Sequence, residues 1–120
     1  MKDKLEPNMY VRTKYGYICK IININDFREP NMKYGVEANY LKDVMFIGDD
    51  DIVKASYNII DILEVGDMVN SLIVTRISED NETNKKYINL YGSICEWENE
   101  DIKSVITHEQ MEQMSYKVSD

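Results

Sequence analysis

One histidine, one tryptophan, two prolines, two cysteines and five glycines are spread over 120 residues. A Ser–His–Asp or Cys–His site would have to use His108, which sits in the helix-start pattern Thr107-His108-Glu109-Gln110 and reads as a solvated first-turn residue. No GxGxxG, phosphate loop, CxxC or HExxH is present, so no enzyme is expected, and no cofactor or metal is assigned. Cys19 and Cys95 stand alone and are expected as two reduced, partly buried thiols. No stretch approaches the roughly 18 apolar residues of a membrane span. The opening Met1-Lys2-Asp3-Lys4-Leu5-Glu6-Pro7 lacks the apolar centre of a signal peptide, so a cytoplasmic protein is expected. Positive charge is short as well: 14 Lys and Arg stand against 22 Asp and Glu, a net charge of -8. The usual electrostatic footprint of a nucleic-acid binder is therefore missing.

What is present suits one globular domain, 1–120, with a polar lead-in at 1–8 and no internal repeat. Met9–Lys14 and Tyr17–Ile24 are rich in β-formers and flank the turn candidate Tyr15-Gly16, which predicts a hairpin. Asn25–Asn39 holds Pro30 and Gly35 and reads as a long loop. Further strands are predicted over Tyr40–Ile47, Ile52–Ala55, Met68–Ile77, Tyr87–Tyr91, Ile94–Trp97 and Ile102–Ile106, with Tyr116–Val118 as a last one. Ser56 is placed to cap a single helical turn that runs to Leu63. Thr107 and Gln110 fit a capping box that opens a short helix through Met114. The fold class is mainly β: a small bent antiparallel sheet or partly open barrel with one short C-terminal helix. Ile59, Ile62, Leu63, Val69, Ile73, Ile88 and Leu90 are expected in the core.

The acid excess is not evenly distributed. Residues 1–60 hold nine basic and nine acidic side chains, whereas residues 61–120 hold five and thirteen. Two clusters stand out: Glu79, Asp80 and Glu82 in a predicted hairpin loop, and Glu96, Glu98, Glu100 and Asp101 around Trp97. An aromatic anchor among carboxylates suits a basic protein surface, such as the nucleic-acid groove of another protein. These eight residues are the candidate partner-binding set, weighed against a merely solubilising face. Asp80–Asn84 echoes a calcium loop, but Lys85 stands where that loop needs glycine. Asp49-Asp50-Asp51 reads as adjacent carboxylates pointing apart into water. Two alternatives remain: a nucleic-acid-binding module using Tyr10, Arg12, Lys14, Tyr17 and Lys20, or a nucleotide-signal sponge, which needs a pocket.

Ile52–Asn70, with Ile52-Val53-Lys54-Ala55-Ser56 leading into Glu64-Val65-Gly66-Asp67, resembles the central signature of small, largely uncharacterised proteins from phages and prophages of Clostridium-like bacteria. The tail Val105–Val118 and the opening Tyr10-Val11-Arg12-Thr13 resemble the same group, and together the three stretches cover under half of the chain. Fifteen isoleucines, eleven asparagines, and eleven lysines against three arginines fit an AT-rich genome. The resemblance implies a phage accessory protein acting in the bacterial host cell, of the kind that blocks host defences, anti-CRISPR proteins included. A CRISPR effector is then one candidate basic partner. The group has no assigned catalytic residues, so none is carried over. No membrane partner is expected, and direct nucleic-acid binding is disfavoured.

Overall fold

A computed structural model describes residues 4–38, 41–116 and 118. The protein is mainly β: two five-stranded antiparallel sheets, neither closed into a barrel, and one short C-terminal helix. Contacts divide the chain into two compact units, Met1–Ile62 and Leu63–Asp120, with one sheet in each.

In the first unit, β1 (Tyr10–Thr13) and β2 (Ile18–Ile24) form the predicted hairpin, with Val11 opposite Cys19. The chain turns at Gly16, whose φ of 88° suits glycine. β3 (Tyr34–Glu37), β4 (Met45–Ile47) and β5 (Ile52–Ser56) complete the sheet in the order β4-β3-β2-β1-β5. The expected loop at 25–39 is corrected here. Its second part is β3, whose Tyr34, Gly35 and Val36 are buried. Glycine in the middle of the strand masks the β pattern. It is needed because a Cβ there would lie 2.7 Å from the Asn23 side chain on the paired strand. Leu5, Met9, Val11, Cys19, Ile21, Tyr34, Val36, Ile47 and Ile52 build the core of this unit. Residue 39, the end of that expected loop, and residue 40, the start of the next predicted strand, lie outside the described residues.

In the second unit, β6 (Met68–Val69), β7 (Leu72–Glu79), β8 (Lys86–Leu90), β9 (Glu96–Trp97) and β10 (Val105–Ile106) are ordered β9-β8-β7-β6-β10. α1 (His108–Met114) follows, opened by the predicted box: Gln110 N–H donates to Thr107 Oγ1 at 3.2 Å and Thr107 N–H to Gln110 Oε1 at 3.1 Å. The last predicted strand includes Lys117, which lies outside the described residues, and Tyr116 is in no strand. No helix among the described residues is long and apolar enough to cross a membrane.

The two strand orders are the same, read from each unit's fourth strand to its fifth, and the correspondence extends to single hydrogen bonds. Before β1, Asn8 N–H donates to Ile21 O, Ile21 N–H to Met9 O, and Met9 N–H to Glu6 O. Before β6, Gly66 N–H donates to Val74 O, Val74 N–H to Asp67 O, and Asp67 N–H to Glu64 O. The β2–β3 and β7–β8 ladders each skip one residue at the matching place, between Ile21 and Asn23 and between Val74 and Arg76. A 3-10 turn separates the fourth and fifth strands in each, Asp49–Asp51 and Asn99–Asp101. The two units thus repeat one another, which corrects the expectation of no internal repeat. The matching segments Leu5-Glu6-Pro7-Asn8-Met9-Tyr10-Val11 and Leu63-Glu64-Val65-Gly66-Asp67-Met68-Val69 share only Leu, Glu and Val.

Of the expected core residues, Ile62, Leu63, Val69, Ile88 and Leu90 are buried, whereas Ile59 and Ile73 are half-buried. Ile60 and Val74 are buried instead. The turn at Ile59–Ile62 is 3-10, and its three-residue period aligns Ile60 with Leu63, both of which are buried. In β7 successive side chains alternate faces, and Val74, 0 % exposed, holds the inward one.

Candidate functional site

The second sheet brings both acidic clusters to one end. β8 lies between β7 and β9, with Glu79 opposite Lys86 on one side and Ile88 opposite Trp97 on the other. The loop leaving β7 and the chain leaving β9 therefore emerge together beside the start of β8. Lys85 Nζ pairs with Glu98 Oε1 and ties the clusters together. Its hydrogen bond to that carboxylate, reinforced by charge attraction, raises the lysine above its ordinary pKa.

The eight predicted residues separate by role. Glu79 belongs to β7 rather than to the loop, because its pairing with Lys86 extends the ladder. Asp80 Oδ1 accepts the N–H groups of Glu82 (2.8 Å) and Thr83 (3.4 Å), which closes the hairpin loop from within. Asp101 Oδ2 accepts Glu98 N–H at 2.9 Å and holds the 3-10 turn. Asp51 does the same for Gly48 N–H at 3.0 Å in the first unit. Trp97 is half-buried, and its Nε1–H donates to Ser93 Oγ at 3.1 Å. Glu82, Glu96 and Glu100 are exposed, and none of them makes an ion pair among the described residues.

Of the five residues proposed for a nucleic-acid face on the first hairpin, Lys14 is exposed, Tyr10, Tyr17 and Lys20 are half-buried, and Arg12 does not reach the surface. Arg12 is 0 % exposed and donates from Nη1 to Ile62 O at 3.1 Å, so it serves the interior of the first unit. This corrects its place in the nucleic-acid reading. Lys14 is drawn to Asp51 at 3.6 Å, and Lys20 lies over the Tyr10 ring at 5.6 Å. An open cleft of about 490 Å³ in the same unit is lined in part by Lys4, Asp26, Lys33, Tyr34 and Asp49. Lys33 is held by Asp26 at 3.3 Å and Tyr34 donates its hydroxyl to Asp49 at 2.6 Å, so both of these groups are paired with carboxylates of the lining. Both cysteines are free; Cys19 is buried, and Cys95 is exposed rather than partly buried.

A third grouping had no sequence signal. Glu64, His108 and Glu109 bring one ligand atom each to within 4.8 Å of one another. His108 Nε2 lies 2.7 Å from Glu64 Oε1 and 3.5 Å from Glu109 Oε1, and all three residues are half-buried. His108 is thus a first-turn residue, as predicted, but one committed to two carboxylates. Beneath it, the buried Asp67 accepts Glu64 N–H on Oδ2 at 2.7 Å and His108 N–H on Oδ1 at 3.0 Å.

Fold and sites together define a mainly β protein of two repeated five-stranded units with an acidic second half. Compared with known proteins, the chain matches no family model, no curated protein and no solved structure.

Proposed function

We propose that the protein is a phage accessory factor that inhibits a host defence system, of the anti-CRISPR kind, by binding a basic protein surface with the acidic end of its second sheet. The observation that carries this reading is the convergence of the two acidic clusters around β8, with Glu82, Glu96 and Glu100 exposed there. A focused negative field speeds encounter with a positive groove and discriminates against acidic partners. The half-buried Trp97 supplies a rigid aromatic edge beside the carboxylates. The phage-like segments described above supply the biological context. Burial of Arg12 removes a central residue from the competing nucleic-acid reading.

The test is inhibition of purified CRISPR effector complexes from low-GC Gram-positive hosts, with direct binding measured at two salt concentrations. Glu82→Lys, Glu96→Lys and Glu100→Lys combined should leave the Tm nearly unchanged, because exposed carboxylates add little to folding. Binding should weaken roughly 10-fold or more at low salt, mainly in the on-rate. A folded triple variant that inhibits as well as the parent would overturn this assignment of the interface.

A further inference from the structure

We propose that Glu64, His108 and Glu109 form a binding site for a divalent transition-metal ion of the zinc class. An imidazole nitrogen with two carboxylates is a borderline donor set, suited to zinc and its first-row neighbours rather than to calcium or magnesium. Zinc bonds of about 2.0–2.2 Å set tetrahedral ligand atoms roughly 3.4 Å apart. The 3.5 Å between His108 Nε2 and Glu109 Oε1 already meets that spacing. The 2.7 Å between His108 Nε2 and Glu64 Oε1 needs to open by about half an ångström as an ion replaces the hydrogen bond. An ion with two positive charges would bridge the ring nitrogen and both carboxylates, whose ligand atoms already lie within 4.8 Å of one another. Three protein ligands leave a position for water, as in open zinc sites.

The support beneath the ligands points the same way. Asp67, 0 % exposed, spends one oxygen on the Glu64 amide and the other on the His108 amide, fixing both ligand-bearing backbones with a single side chain. These bonds hold the two backbones in place and leave the ligating side chains to meet above them. Gly66 passes under the imidazole with φ at +99°, and a Cβ there would lie 3.7 Å from His108 Cβ.

The first unit provides an internal contrast. The same loop forms there with Met9 in place of Asp67, and among the described residues Glu6 accepts only the hydroxyl of Tyr57, at 2.8 Å. The fold of this corner therefore needs neither an imidazole nor a second carboxylate. The second unit carries both.

Isothermal titration of the full chain with Zn²⁺ tests the proposal, with Co²⁺ absorption reporting coordination. One ion should bind per chain. His108→Ala and Glu109→Gln should each weaken binding at least 10-fold, while Glu6→Gln and Cys95→Ser should leave it unchanged. The His108 ring nitrogen resonances should shift on zinc addition in the unaltered protein, a readout independent of how the variants fold. Absence of binding at millimolar Zn²⁺, unmoved His108 resonances, or loss of binding on Cys95→Ser would each overturn it.

Discussion

Asp67 in the second unit stands where Met9 stands in the first. Glu64 N–H donates to Asp67 Oδ2 at 2.7 Å, and Glu6 N–H donates to Met9 Sδ at 3.2 Å. The same backbone turn is thus closed by a carboxylate in one unit and a thioether in the other. Only the carboxylate has a second oxygen, which it gives to His108 N–H.

Removing Asp67 should therefore cost more than removing Met9's sulfur. Asp67→Ala leaves two amides without their acceptor and should destabilise the protein by about 2–4 kcal/mol. Met9→Leu keeps the apolar volume and should cost under about 1.5 kcal/mol. Urea melts of the two variants check the order.

Arg12 should matter for stability and not for partner binding. Arg12→Met retains much of the volume but removes the donor to Ile62 O, and should cost about 1–3 kcal/mol. Inhibition measured on the folded fraction should equal that of the parent.

The two 3-10 turns make a matched pair. Asp51→Ala and Asp101→Ala each release an amide at the start of a turn, Gly48 N–H and Glu98 N–H, and each should cost about 1 kcal/mol. Asp101 is thus a structural carboxylate. Its substitution should lower the Tm, unlike the triple change at Glu82, Glu96 and Glu100.

Alkaline pH should loosen the first unit. Burial, and then the hydrogen bond to Asp49, raises Tyr34 above the ordinary tyrosine pKa. The folded protein holds the phenol proton more tightly than the unfolded chain. Its contribution is complete below about pH 10 and lost as the pH rises through the folded value. The stability difference between the parent and Tyr34→Phe should shrink between pH 8 and pH 11 in denaturant melts.

Ile88, 0 % exposed between β7 and β9, should be the more sensitive of two neighbouring isoleucines. Ile88→Ala should cost about 3 kcal/mol, and the half-buried Ile73→Ala clearly less. Thermal melts of both distinguish the inward from the outward face.

Elements whose signals are local are legible in the chain itself. Alternating β-formers placed β1, β2 and β8, the Thr107–Gln110 box placed the start of α1, and the uneven carboxylates marked the acidic half. Each depends on neighbours within a few residues, so each is written in the order of the chain. Tertiary structure alone decided the rest. β3 became a strand because Gly35 fits against Asn23 on its partner, a contact invisible to propensity. The repeat surfaced through backbone hydrogen bonds, which tolerate Met for Asp and Asn for Gly as long as the turn closes. Arg12 carries no sign of burial in its neighbours, and it is the carbonyl of Ile62, fifty residues on, that accepts its Nη1–H. Glu64 and His108 are 44 residues apart, and their meeting depends on β6 and β10 pairing as neighbouring strands, which no local spacing encodes.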